Sequence, residues 1–550
     1  MATSSRAFAV ACLAALPTAA QFGGIVAPGN GQDVYFSTAL PLKGSGEPAQ
    51  GRIFKIGQSS LTKVAAVTNA GFPRTCLGFC TTNAYNLSQP DLSRDGRVLV
   101  YRGQVECTGD SIICGFHLDP YVTSVQGIPG QQGTLTYGGS GRLSGNGRYL
   151  VLSSQPKLYN LSDIKIVDLE AGQQVAATLI NDANARFTPD GRVVADDGTF
   201  VLVANSQVYV YRRGKLVIAP AVSGYPANAV IDSAGETVIY QVCCSPSELR
   251  VFNPDTGEDN ALMPGSGFFS APVLSADGQK VAFLWITKPG TTGPSTLFQA
   301  YAMNVDGSAL RALTNDRDGI AQLTLSDDGQ TAWFVSNTGA LYEVNTVTDG
   351  IRQPIPPIGA AQNPGRIVPG SAVFIFGKGF GNDPRVAFDG IAAPTVGLED
   401  WGLWVQAPWE LPSSASVTLT IDNGSPFEML TQGNIVETRP QLPSLAAGPF
   451  HQDWSGNVSL QSPAHPGEVI HFYITGLGPV QPSVKTGDAG PSEPPALVTG
   501  PLECNLPLLF AGLAPGLVGF YQVSVQMPAT VIGPVQISCA GITHTVSARP

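Results

Sequence analysis

The sequence predicts an all-β chain: a β-propeller of seven blades, with six the alternative count, followed by two immunoglobulin-like β-sandwich domains. Three observations carry this. Short Val/Ile/Phe/Tyr runs are cut every few residues by Gly, Pro, Asn or Asp, and the 550 residues include Gly 63 and Pro 44, a turn-rich usage with no sustained 3.6-residue apolar period for long helices. One strand-turn-strand pattern recurs through the first 350 residues at intervals of blade length. Beyond a Pro-rich stretch the pattern changes to alternating strands joined by Gly and Asn turns. A chain this long exceeds what one hydrophobic core organises, so several cores are expected.

The N-terminus reads as a cleavable export signal over residues 1–20. Arg6 precedes an apolar run from Ala7 to Leu16, Pro17 breaks it, and the small residues Thr18 and Ala20 stand before Gln21. The run is too short to span a bilayer, and cleavage is expected between Ala20 and Gln21. Acylation of Cys12 is the weaker alternative, because Ala9-Val10-Ala11-Cys12 is a poor lipobox. The mature chain is therefore expected to be secreted, periplasmic or at the cell surface, with no transmembrane segment.

The repeat region is placed at 21–352. Its copies are DLSRDGRVLVY around Gly96, RLSGNGRYLVL around Gly147, RFTPDGRVVAD around Gly191, VIDSAGETVIY around Gly235, VLSADGQKVAF around Gly278 and TLSDDGQTAWF around Gly329. A degenerate copy surrounds Gly31, so successive glycines are 65, 51, 44, 44, 43 and 51 residues apart by subtraction. Each copy is followed by a further strand such as IKIVDL or LRVFNPDTG, whose Asp-Gly-type ending turns into the outermost strand. Blades packed round an axis leave no long free edge. These turns, with RALT at 311–314 after NVDG, resemble the Asp-Gly-turn repeats of the periplasmic TolB protein and its relatives. That resemblance implies the fold and says little of function, since related propellers serve as binding platforms, peptidase lids and enzymes. Asp95, Asp190, Asp277 and Asp328 are read as caps of their own turns and not as a catalytic ring. Asn315-Asp316-Arg317-Asp318-Gly319 lacks the remaining ligands of a calcium loop and reads as solvated.

A Pro-rich linker is placed at 353–365. The domain at 366–437 has turns of the kind found in transcription-factor-type immunoglobulin domains, and holds Trp401, Trp404 and Trp409. Packing is the preferred reading of these tryptophans, with a carbohydrate-stacking platform as the sharper one. The domain at 438–550 contains HPGEVIHFYITGLGPV and GLAPGLVGFYQVSVQMP. With PWEL at 408–411, this order resembles the C-terminal domain that recurs at the ends of exported proteins of Solibacter and other acidobacteria. The family has no established activity, so the resemblance implies glycines for turns and Tyr521 and Val523 in a core.

Without Cys12, eight cysteines remain: Cys76, Cys80, Cys107, Cys114, Cys243, Cys244, Cys504 and Cys539. An even count in an exported chain reads as disulfides whose connectivity stays open. Bridges across the hairpin at Cys107 and Cys114, and between strands at Cys504 and Cys539, are reasonable, whereas Cys243–Cys244 needs a strained ring. Paired C-x₂-C spacings with nearby His, the mark of zinc, are absent. So are the motifs of hydrolases, metalloproteases and nucleotide binders, and no catalytic residue, cofactor or metal ligand is assigned. The net charge of −11, with Lys and Arg scattered singly, disfavours nucleic acid. A serine triad stays open, being recognised by geometry and not by spacing. The expected function is binding of a protein or glycan by propeller loops, with the C-terminal domains as spacer or surface module. The alternatives are a glycan hydrolase or lyase with carboxylates in the central funnel, and a structural surface component.

Overall fold

The structure, a computed structural model, describes residues 22–549 apart from 48–50, 58–59, 66–80, 109–120, 155–161, 181, 183–184, 244–246, 264–266, 288–296, 400 and 432–433. The expected cleavage site at Ala20 and Gln21 lies outside them. The described residues form strands and no helix, and the chain divides into one unit at Thr18–Pro356 and another holding Pro357–Pro550.

In the first unit, antiparallel sheets follow one another in chain order over 25–65, 81–138, 140–180, 200–218, 225–263, 268–312 and 320–355. Within a sheet the strands lie in sequence order, so each connection is a local hairpin. Burial is greatest on the second strands and falls toward the outer edge. Second strands such as Val34–Thr38 and Phe200–Ala204 are buried at every residue, while the outer strands Gln173–Ile180 and Lys215–Ile218 are largely exposed. Neighbouring sheets cover both faces of the inner strands, which therefore read as continuous apolar runs and not as alternation. One core cluster joins Ile164 of the third sheet, Val201 of the fourth and Tyr240 of the fifth; another joins Ala282 of the sixth and Phe334 of the seventh.

The inner turns repeat one local device. Ser93 Oγ donates to Asp95 Oδ1 at 2.6 Å and accepts the Val98 amide at 3.0 Å, while Asp95 Oδ1 accepts the Arg97 amide at 3.0 Å. Gly96 turns the chain with φ 69°, a conformation open to glycine at no steric cost. Ser275/Asp277 and Ser326/Asp328 repeat these bonds, so Asp95, Asp277 and Asp328 cap their turns.

Asp190 does not. The fourth sheet takes its inner edge from Arg186, bridged to Val203, and Val194, bridged to Phe200. Its equivalent turn is Ala195-Asp196-Asp197-Gly198, where Asp197 Oδ1 accepts the Thr199 amide at 2.8 Å and the Gly198 amide donates to Ala195 O at 3.1 Å. The repeat glycine there is Gly198, not Gly191, and the intervals become 65, 51, 51, 37, 43 and 51 by subtraction. Both DG turns are locally sound; strand pairing selects the second.

The inner turns are hydrogen-bonded to one another. Amides of Arg94, Asp196, Ser233 and Ala276 donate to Gly145 O, Ser233 O, Ala276 O and Asp327 O at 2.7–3.0 Å, and the Asn146 amide donates to Asp196 Oδ1 at 2.9 Å. The first sheet meets the second through the Gln89 amide and Gly23 O, and the seventh through the Gly29 amide and Asp327 Oδ2 at 2.8 Å and Trp333 Nε1 and Gly31 O at 2.8 Å. Bonds between first and last sheets close a ring, which is a β-propeller arrangement.

Part of the stretch placed as a linker, 353–355 and 360–361, lies in strands. Ile351–Ile355 is the outer strand of the seventh sheet, and Ala360–Ala361 pairs with Gly377–Lys378 and with Leu430–Thr431. Pro354 is tolerated because that strand is an edge.

The second unit begins with two five-stranded sheets, one containing Ala372–Lys378 and Gly402–Gln406, the other Arg385–Phe388, Ser416–Asp422 and Ile435–Thr438. Ile375, Leu403 and Val405 of the one pack against Val386, Phe388, Leu419 and Val436 of the other. A six-stranded sheet follows, with Val469–Thr475, Tyr521–Gln526 and Leu508–Leu513 at its centre, and then a hairpin of Val535–Cys539 and Ile542–Val546. Tyr521 is fully buried and its hydroxyl donates to Gly478 O at 2.5 Å, which ties the TGLG turn to the sheet. A disulfide joins Cys504 to Cys539. The two modules of this unit meet through the Ala372 amide and Gly519 O at 2.7 Å and the Gly476 amide and Ser371 Oγ at 2.6 Å.

Candidate functional site

Among the described residues, the propeller axis and a cleft in the second unit each bring chemistry-bearing side chains together. At the axis, the chain between Arg186 and Val194 leaves its sheet. Thr188 Oγ1 bonds Ala229 O and the Ala229 amide at 2.7 Å each, and Arg192 O accepts the Ile231 amide at 2.9 Å, which seats the segment against the fifth sheet. At Gly191, φ is 77° and a Cβ would stand 2.8 Å from Val230 and 3.2 Å from Val273 of the sixth sheet. Arg142 of the third sheet donates to the carbonyls of Thr188 and Gly191. Arg192 Nη2 reaches Asp327 Oδ1 of the seventh at 3.1 Å. Contacts with the third, fifth, sixth and seventh sheets place residues 188–192 across the centre of the ring.

The charges there are largely paired. Arg142 Nε donates to Asp91 Oδ2 at 3.0 Å, an oxygen that also accepts the Leu143 amide at 2.9 Å. Arg94 pairs with Asp196 and donates to Ser233 Oγ at 2.6 Å. Asp190 is different. It lies deep among the inner strands while keeping partial contact with solvent, and burial pushes its carboxyl up to about 6 against the pull of Arg142.

In the second unit, Phe374 and Phe376 alternate with Ile375 along Ala372–Lys378, so Ile375 enters the core and both phenylalanines share the outer face. Trp404 stands directly opposite Phe374 in the register. Ring centroids of Phe374 lie 4.4 Å from Trp401, 4.8 Å from Trp404 and 4.8 Å from Phe376, and Trp404 lies 5.1 Å from Phe520 of the terminal module. All five rings are half-buried. Beside them a cleft of about 340 Å³ is lined by Arg366, Phe374, Phe376, Trp404, Ser444 and Thr475, among others. Such a cleft offers apolar rings with a few polar groups at the edge.

Trp409 is not part of this face. Its indole covers Gly370 and packs on the core of the terminal module, while its amide donates to Thr486 Oγ1 at 2.9 Å. The three tryptophans therefore form no single platform.

Of the other sequence-derived residues, Cys76, Cys80, Cys114 and Cys244 lie outside the described residues. Cys107 is on the strand Leu99–Thr108, opposite Thr82, and Cys243 Sγ accepts from Gln241 Nε2 at 3.1 Å. Asp316 Oδ1 accepts the Asp318 amide at 2.8 Å, so the loop resembling a calcium site bonds to itself. Among the described residues there is no cluster of three or more His, Cys, Asp or Glu side chains poised for a metal, and no helix long and apolar enough to cross a membrane.

No family model and no curated protein matches the chain. Solved structures similar to it include the β-propeller domain of the trilobed protease from Pyrococcus furiosus, 11% identical with TM-score 0.41, covering 60% of this chain and 94% of that one. The oligogalacturonate lyase of Vibrio parahaemolyticus is 11% identical with TM-score 0.40, covering 60% and 92%. The acylaminoacyl peptidase of Pyrococcus horikoshii is 12% identical with TM-score 0.40, covering 60% and 51%.

Proposed function

We propose that the chain is an exported binding protein: a seven-bladed propeller that presents loops to a protein or glycan, followed by two immunoglobulin-like modules whose aromatic cleft takes a carbohydrate-type ligand. The observation that carries this reading is the filled axis. Residues 188–192 occupy the place a central catalytic funnel needs, and Asp91 and Asp327 are engaged by Arg142 and Arg192. Ligand contact is thereby moved to the rim and to the second unit. There Trp404, Phe374 and Phe376 offer ring faces, and Arg366, Ser444 and Thr475 offer hydrogen-bonding groups. Export is supported by the Arg6 to Ala20 signal pattern and by the Cys504–Cys539 disulfide.

The test is a fluorescence titration of the mature chain with soluble polysaccharides and their oligosaccharides. Binding should quench tryptophan emission, and Trp404→Ala should weaken it by about tenfold or more, the equivalent of losing one stacked ring. A Trp404→Ala variant that binds like the wild type contradicts the cleft. A second reading, a hydrolase or lyase at the axis, draws on the raised Asp190 carboxyl, since an acid of this kind donates protons near neutral pH. Turnover of a polyuronate or glycoside, abolished by Asp190→Asn, would replace the first reading with this one.

A further inference from the structure

The terminal module aligns a serine, a histidine and a carboxylate. His451 follows the strand Ser444–Phe450 and is only 7% exposed. Its Nδ1 lies 2.7 Å from Glu468 Oε1, and its Nε2 lies 3.0 Å from Ser462 Oγ. Glu468 is anchored independently: Oε2 accepts the His465 amide at 2.8 Å and Oε1 the Gln452 amide at 3.2 Å. These bonds and the His451 ring hold its carboxyl below the usual range despite the opposing effect of burial. Ser462 is exposed, in a turn closed by the Ser459 amide donating to Ser462 O at 2.8 Å and the Ser462 amide donating to Ser459 Oγ at 3.1 Å. A buried base is thus oriented by a fixed carboxylate and faces a solvent-accessible hydroxyl, the geometry that activates a nucleophilic serine.

We propose that Ser462 is a nucleophile toward carboxylic esters, with His451 as its general base and Glu468 as a positioning residue. The Ser462 oxygen attacks the ester carbonyl as its proton passes to His451 Nε2. The carbonyl-to-alkoxide bond then breaks, the proton leaves with the alcohol, and the acyl group stays on Ser462. Water, giving a proton to the same Nε2, attacks the acyl-serine, releases the carboxylic acid and restores the hydroxyl. The accessible position of the hydroxyl suits small acyl groups on good leaving groups.

The Ser462 carbonyl also lies 3.1 Å from Nε2, where it accepts a proton held on that nitrogen. The base is free only in the neutral ring, so reactivity rises with pH. The charged and titratable groups around this ring are Glu468, Asp453, which feels the His451 charge, and His471, whose Nε2 lies 3.4 Å from Gln452 O.

The test exposes the mature chain to a fluorophosphonate probe and maps the adduct by mass spectrometry. Labelling is expected at Ser462, absent in Ser462→Ala, faster with rising pH, and about 100-fold slower in His451→Gln, the usual range for losing a general base. No adduct at Ser462 overturns the proposal. Because His451 is buried and its replacement can unfold the module, Ser462→Cys supplies a second readout. A thiol beside His451 should react with iodoacetamide as a thiolate well below pH 8, whereas a profile centred at the ordinary thiol value of about 8.5 overturns the assignment.

Discussion

Charged side chains at the propeller axis and those at Ser462 differ in what their partners leave over. At the axis, Arg142, Arg192 and Arg94 face Asp91, Asp327 and Asp196, and the guanidinium of Arg142 also binds carbonyls of the inserted segment. Pairs of this kind hold one sheet to another. In the terminal module the Glu468–His451 pair ends on an exposed hydroxyl, so the relay has an open end. Convergent carboxylates are therefore a poor guide to chemistry by themselves; whether a cation of the fold already occupies them decides more.

The largest effect is expected at Arg142. Arg142→Ala leaves Asp91 buried without its cation and frees the carbonyls of Thr188, Pro189 and Gly191. A loss of about 3–5 kcal/mol is expected, the range for removing one partner of a buried pair. It should appear in the propeller's unfolding transition by calorimetry and leave fluorophosphonate labelling at Ser462 intact in the folded protein.

A smaller change belongs to the other region. Removing the Cys504–Cys539 bridge, whose ends are 35 residues apart, should lower the stability of the terminal module by about 2–4 kcal/mol through the freed unfolded chain. The Cys504→Ser/Cys539→Ser variant should shift the second unit's melting and not the propeller's. Equal shifts in both would show that the two regions do not act independently.

The smallest effect belongs to Asp190. Its carboxyl is raised to about 6, so the folded state binds this proton more tightly than the unfolded chain does. Its contribution is therefore present at low pH, is lost as pH rises from about 4 through about 6, and stays lost above. Asp190→Asn should remove this slope and stabilise the propeller at pH 7 by about 1–3 kcal/mol. Denaturant titrations at pH 4.5 and 7 measure it.

What could be read from the sequence followed how local the determining interactions are. The Ser93/Asp95 and Ser275/Asp277 turns were legible because every bond in them lies within five residues. The fourth repeat misled because TPDG and ADDG stand seven residues apart, and only the pairing of Val194 with Phe200 chooses between them. The inserted segment was hidden for the same reason, since its partners sit on four other sheets. Trp401, Trp404 and Trp409 are close in sequence, but which of them shares a face with Phe374 depends on cross-strand register and on Gly370. His451, Ser462 and Glu468 have no motif spacing, and the turns at 451–454, 459–462 and 465–468 bring them together.

Residues 188–192 cross the propeller axis and hold its far side through the Arg192–Asp327 pair. These residues are 135 apart in sequence and both side chains are largely buried. A double-mutant cycle of Arg192→Ala and Asp327→Ala, read on propeller unfolding, should give a coupling of about 1–3 kcal/mol. Additive single losses, with no coupling, would mean that the segment does not reach the seventh sheet and that the axis is open.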